Sequence, residues 1–182
     1  MIFGLFRKKN NNRAIVARQY EHLTQAARRA PFYAEMGVPD TVLGRFEMLT
    51  IVLILYFRRT ADAGRSGQEI AQEIIDYFFE DIDHSMRELG VGDVGVPKRV
   101  KKFARMYYGR LEAYAAALDA DDAEALKAAL RRNIRPDEPE APDMAALATY
   151  MIAAETALKA VSEDQLATGE AHLIEPEPVE RT

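Results

Sequence analysis

The sequence predicts an all-α protein, a single helical-bundle domain of about six helices. Three observations carry this. Apolar residues recur at three- and four-residue spacing from end to end, the alternation expected of strands is nearly absent, and proline and glycine gather at a few breaks where helix start and stop signals fall. The 182 residues suit one domain at ~100 to 200 residues each. The expected organisation is a flexible N-terminal segment over 1–12, a helical domain over 13–168 with an internal proline-rich acidic linker over 135–142, and a flexible acidic tail over 169–182.

The first helix is expected from Asn12 to Ala30, with Ile15, Tyr20, Leu23 and Ala27 near one face and Pro31 as its stop. The second follows Asp40, a favourable N-cap, and runs to Arg59. Its Val42, Leu43, Phe46, Leu49, Val52, Leu53, Leu55, Tyr56 and Phe57 cover most of the circumference, which places it at the centre of the bundle. Ser66 and Glu69 spell a capping box that opens a third helix to Leu89. Ile70, Ile74, Phe78, Ile82, Ser85 and Leu89 line one side of it, and Glu73, Asp76, Glu80 and Asp83 line the other with Arg87. Pro97 suits the first turn of a fourth helix, to Leu118, whose buried stripe is Val100, Phe103, Tyr107, Leu111, Tyr114 and Leu118. Asp121 or Asp122 caps a short fifth helix to Arg132, with Glu124 completing a second capping pattern. RPDEPEAP, Arg135 to Pro142, reads as a semi-rigid linker, Asp143 caps a sixth helix to Val161, and a short turn follows Ser162.

Composition excludes several classes of function. With no cysteine there is no disulfide, thiolate metal site or cysteine nucleophile. The net charge of −5 argues against a nucleic-acid coat, so no DNA partner is expected. The apolar run Phe46–Phe57 is interrupted by Glu47 and is shorter than the ~20 residues of a membrane span. The opening MIFGLFRKKNNNR has its apolar residues before its basic ones, the wrong order for a secretory signal. A soluble protein that is not exported is expected, and Ile2, Phe3, Leu5 and Phe6 beside Arg7, Lys8 and Lys9 could touch a membrane interface.

One stretch invites a sharper reading. In LGVGDVGVPKR, Leu89 to Arg99, the glycines Gly90, Gly92 and Gly95 match the dinucleotide fingerprint G-x-G-x-x-G. That fingerprint needs a strand before it and an acidic residue closing a second strand ~20 residues later, and here helix precedes and helix follows. The context favours an elbow between two helices, with Gly90 as the C-terminal cap of the first and Val91 as its hydrophobic contact.

Beyond the elbow, Lys98, Lys101, Lys102 and Arg105 cluster opposite the apolar stripe of the fourth helix, with Arg99 at the stripe's margin. Such a basic ridge suits anionic lipid headgroups, ribosomal RNA phosphate or an acidic protein. Asp81 lies at the margin of the third helix's stripe, and a basic partner is expected for it, with Arg110 the leading candidate. Tyr107 reads as core, Tyr108 as exposed, and Gly109 as a sign of close helix approach. Glu80, Asp83 and His84 form the nearest thing to a metal-binding or enzymatic cluster. Bundle sites of that kind draw ligands from several helices, and the chain has three histidines. No catalytic constellation, cofactor site or metal site is assigned.

The segment DIDHSMRELGVGDVGVPKRVKKFARMYYGRLEAY, Asp81 to Tyr114, closely resembles the ubiquinol-cytochrome c chaperone family, and FYAEMGVPDTVLGRFEML, Phe32 to Leu49, looks like that family's second characteristic block. Asp81, Asp83, His84, Arg87, Gly90, Gly92, Asp93, Lys98, Arg99, Lys101, Lys102, Tyr108, Gly109 and Arg110 match its motif. Val52 stands about where members often carry a histidine. The resemblance implies a helical, non-enzymatic assembly factor for the cytochrome b subunit of the ubiquinol-cytochrome c oxidoreductase. It also implies work near the ribosome, with a small partner protein in mitochondrial members, and a cytoplasmic place peripheral to the inner membrane. Without a mitochondrial presequence this chain looks like a bacterial member. Of the matched residues, Asp83, His84, Arg87, Asp93, Lys98, Arg99, Lys101, Lys102 and Tyr108, together with Arg105 of the ridge, are the expected client-contacting set. Asp81, Gly90, Gly92, Gly109 and Arg110 are the expected structural set.

Overall fold

A computed structural model describes residues 2–136, 138 and 140–177, with side chains from residue 12 onward. Its elements, all helices among the described residues, are α1 (Ile2–Ala27), α2 (Ala30–Ala34), α3 (Val42–Ala61), α4 (Arg65–Glu88), α5 (Val96–Asp119), α6 (Ala123–Ile134), α7 (Ala145–Leu158) and α8 (Glu163–Thr168). The all-α expectation holds. The six longer helices are those expected, α8 is the short turn expected after Ser162, and α2 is a short addition at the Pro31 break.

Helix α3 is the axis of the bundle. Helices α1, α4, α5, α6 and α7 pack around it, and α8 lies on α4. Met48 and every residue from Ile51 to Tyr56 are fully buried, because this helix is apolar on all sides. Each such leucine or isoleucine contributes ~1.5 to 3 kcal/mol relative to exposure. In the first turn, Val42 and Leu43 are exposed, where the expectation had them as core.

Several helix starts differ from the sequence expectation. The cap of α3 is Thr41, whose Oγ1 accepts from the Gly44 N–H at 3.1 Å, while Asp40 instead accepts from Arg45 Nε at 2.8 Å. The Ser66–Glu69 box does not form. Helix α4 already begins at Arg65, Glu69 is taken by Arg65 at 2.8 Å, and the Gly64 N–H donates to Glu163 of α8 at 2.7 Å. Asp122 does cap α6, accepting from the Ala125 N–H at 2.9 Å, but Glu124 turns to Lys127. The Asp143 carboxylate accepts from the Ala145 N–H at 3.0 Å at the start of α7.

The largest departures are at the ends. Helix α1 starts at Ile2, well ahead of Asn12; the side chains of Ile2, Phe3, Leu5, Phe6, Arg7, Lys8 and Lys9 lie outside the described residues. Residues 169–175, expected as free tail, are docked on the bundle. Gln19, itself buried, both donates to the Ala171 carbonyl at 2.8 Å and accepts from the Ala171 N–H at 2.9 Å. Arg29 donates to the Leu173 and Ile174 carbonyls and pairs with Glu175 at 2.8 Å. Gly169 opens this strap in the left-handed region at φ 72°, where a Cβ would sit 2.7 Å from the Ile15 carbonyl oxygen. Ala171 and Leu173 complete the core, which the local composition of the tail did not reveal.

The expected Asp81–Arg110 pair does not exist. Asp81 accepts from the Tyr20 hydroxyl of α1 at 2.8 Å. Burial first, and the Asp81 charge next, push the Tyr20 phenol upward, so it stays a donor. Arg110 reaches across to α3 instead, donating Nε and Nη2 to the two carboxylate oxygens of Glu47 at 2.5 Å each. It also donates to the Met106 carbonyl at 3.1 Å. Glu47 is 1% exposed; burial pushes its carboxyl above the ordinary range, and Arg110 opposes that shift. Glu47 had read only as an interruption of an apolar run. A carboxylate inside a core helix must find a cation, and that was the signal for it.

Candidate functional site

The elbow is built from the end of α4. Gly90 takes φ 80°, its N–H donates to the Arg87 carbonyl at 2.9 Å, and the Val91 N–H donates to the Met86 carbonyl at 3.1 Å. These two bonds make a Schellman cap and satisfy carbonyls that the helix leaves free. Gly92 and Gly95 are not in the left-handed region, and the Val96 N–H closes the turn on the Gly92 carbonyl at 3.2 Å. The loop's backbone is therefore committed to joining two helices.

The elbow brings three of the expected site residues together. Arg87 donates to Asp83 at 2.6 Å, one turn back, and to Asp93 across the turn, so a single guanidinium clamps helix to loop. His84 faces Glu88 at 3.2 Å. Glu80, Asp83 and His84 do not converge, and among the described residues no group of three metal-ligating side chains does. Gly109 is corrected: a Cβ there would meet nothing within 4 Å, so no helix approaches it.

On α5, Lys98, Arg99, Lys101, Lys102 and Arg105 are all exposed. Among the described residues none of the five side chains makes a hydrogen bond or ion pair. Tyr107 is buried at 2% exposure, and Tyr108 is 56% exposed with its ring against Tyr107 at 5.3 Å. The basic ridge thus stands free on one side of α5 while the other side is anchored by Val96, Tyr107 and Tyr114.

On the Phe103 side of α5, away from the ridge, lies a feature that the sequence did not announce. The first turns of α3, the end of α4, the start of α5 and the end of α1 leave an open cavity of ≈ 230 Å³ between them. Phe46, Leu49, Phe78, Ile82, Met86 and Phe103 form its apolar wall, with Val42 at the rim; Arg28, Arg45 and Asp81 supply charge. Phe46 and Phe103 meet edge to face at 4.7 Å. The run of apolar residues into the first turn of α3, beyond what the core covers, was the available signal.

The elbow, ridge and cavity all fall within the segment, residues 34–173 apart from the α1 contribution, that matches the family described as Ubiquinol-cytochrome C chaperone. The chain belongs to that family. Among solved structures it is similar to the crystal structure of the Cbp3 homolog from Brucella abortus, with a TM-score of 0.87 and 50% identity, covering 99% of this chain and 100% of that one. It is also 24% identical over 103 residues to ubiquinol-cytochrome-c reductase complex assembly factor 1 of Xenopus laevis. That similarity takes in 57% of this chain and 51% of the relative, so the chain spans about half of the relative's length. The ubiquinol-cytochrome C chaperone match and the high TM-score together cover the whole bundle, including the docked strap as far as Leu173.

Proposed function

We propose that this chain is a non-enzymatic chaperone in the assembly of ubiquinol-cytochrome c reductase, with the cytochrome b subunit as its client. The observation that carries the reading is the division of α5: five cations without a partner among the described residues on one side, and on the other, through Phe103, an apolar cavity open to solvent. Family membership and the similarity to a ubiquinol-cytochrome-c reductase complex assembly factor support the choice of complex. The client set is Asp83, His84, Arg87, Asp93, Lys98, Arg99, Lys101, Lys102, Arg105 and Tyr108. A membrane subunit awaiting assembly presents apolar segments bounded by charged loops. The cavity wall of Phe46, Leu49 and Phe103 would shelter the first, and the ridge and the Arg87 clamp would meet the second. No chemical step is assigned to the chain. It works by holding and releasing, at the cytoplasmic side of the inner membrane.

Photo-crosslinking from probes at Lys98, Lys102 and Arg105, in cells making the complex, is the direct test. Recovery of cytochrome b, together with loss of the assembled complex in a deletion strain, is the expected result. Crosslinks lacking cytochrome b, with normal assembly in the deletion strain, would sink the reading.

A further inference from the structure

The elbow holds four large apolar residues, and the fold divides them. Val96 is fully buried and Val91 packs partly against the core, whereas Val94 is 96% exposed and Leu89 64% exposed. Leu89 had been expected to continue the buried stripe of α4, but the cap at Gly90 turns the chain before it can. A single exposed valine needs no explanation. Two apolar side chains on one turn, leading into five cations that have no carboxylate partner among the described residues, form a pattern with a physical meaning.

The pattern runs in one direction. At ~100° per residue, Lys98, Lys101, Lys102 and Arg105 fall within an arc of about 100°, with Arg99 on its flank. Tyr108 and Gly109 continue this face until Glu112 ends it, so the edge from Val96 to Tyr108 is about 18 Å long. The acidic side chains of α4, Glu73, Asp76 and Glu80, lie on another helix, and Asp93 is held by Arg87. A molecule of net charge −5 approaches an anionic surface with a cationic edge forward, and this ridge is such an edge.

We infer that this edge, from Leu89 and Val94 through Lys98, Lys101, Lys102 and Arg105 to Tyr108, docks on the surface of an anionic lipid bilayer. The two elbow side chains and the tyrosine enter the headgroup region, and the cations meet lipid phosphates. This rests on the chaperone reading and deepens it: the ridge that meets the client's charged loops meets lipid phosphates while no client is bound, and that state is tested without any client. Phosphate could equally come from RNA, but Val94 and Leu89 gain only where apolar material lies beneath the phosphates. A nucleic-acid surface would also offer several exposed aromatics for stacking, and Tyr107 is buried.

The experiment is co-sedimentation of the full chain with vesicles of phosphatidylcholine alone or mixed with phosphatidylglycerol. Binding is expected to the anionic vesicles only, and to fall at least about fivefold between about 0.05 M and about 0.3 M salt. Lys101→Glu with Lys102→Glu should weaken it about tenfold or more. Val94→Ser with Leu89→Ser should weaken it about fivefold with the ridge intact. Should the charge reversal unfold the chain, Lys102→Ser alone is read the same way, with a smaller drop. Absence of binding to anionic vesicles, or binding indifferent to either set of substitutions, overturns the proposal. So does salt-sensitive binding of a ribosomal RNA fragment that matches the lipid affinity and ignores Val94→Ser. Failed sedimentation leaves the cytochrome b crosslink standing, and a failed crosslink leaves the lipid result standing, so the two readings fail separately.

Discussion

Arg110 of α5 and Glu47 of α3 form a bidentate ion pair at the heart of the bundle, with side-chain exposures of 11% and 1%. The pair fixes how the helix carrying the basic ridge sits against the central helix. Removing one partner strands the other. Arg110→Met or Glu47→Leu is therefore expected to cost ~3 to 5 kcal/mol, and the double substitution much less than the sum. Chemical denaturation of the four proteins in the cycle checks this, and strictly additive losses would rule out the coupling.

Two glycines that both match the family motif should behave oppositely. Gly90 needs its positive φ, so Gly90→Ala is expected to cost ~1 kcal/mol despite open space around it. Gly109 lies mid-helix with nothing near its Cβ position, so Gly109→Ala should stabilise by up to ~1 kcal/mol. Thermal melts of both variants test the pair of signs. A destabilised Gly109→Ala would restore the idea of close packing there.

The docked strap should respond to Gln19. Gln19→Leu removes two buried hydrogen bonds and leaves both the N–H and the carbonyl of Ala171 without their partner. A loss of ~2 to 3 kcal/mol is expected, with faster amide hydrogen exchange across residues 169–175 than in the native chain. Unchanged exchange in that segment would show that the strap is held elsewhere.

The same strap carries an acid-sensitive contact. His22 of α1 and His172 of the strap lie ring against ring, tilted at 36° with centroids 4.3 Å apart, and His22 is surrounded further by Arg18, Glu21 and Glu170. Burial, then the His172 charge, holds His22 below its ordinary value of 6.5, with Arg18 acting the same way and the two glutamates opposing. As pH falls below 6.5 the unfolded chain takes up a proton at His22 before the folded chain does. Stability from this group is therefore present at neutral pH and lost on acidification, down to the folded-state value. Melting temperature measured from about pH 7.5 to about pH 5 should fall more steeply for the native chain than for His22→Gln. Equal slopes would refute the assignment.

Much of the architecture was legible in the sequence because it is local. Helical periodicity, a cap at Asp121 or Asp122, and Gly90 as a helix terminator depend on residues within a few positions of one another, so α5 was placed to within a residue at each end. The elbow reading survived for the same reason: a Schellman cap is specified by the chain that makes it. The basic ridge was also readable, since its residues share one face of one helix.

Tertiary structure decided what depended on distant partners. Asp81 and Arg110 both needed partners, but helix periodicity cannot say which helix stands opposite, and packing gave Tyr20 to one and Glu47 to the other. Glu163 displaced the local capping pattern at Ser66 because α8 lies against the start of α4. The tail read as polar and free, yet a few buried residues, Ala171 and Leu173 among them, sufficed to dock it once α1 offered Gln19 and Arg29. The cavity lined by Phe46 and Phe103 exists only where four helix ends fail to close on one another. The sequence by itself determined the longer helices, the Gly90 terminator and the sign of each face. The partners of the buried charges and the open end of the bundle were set by packing, because desolvated groups are paired by proximity in space and not along the chain.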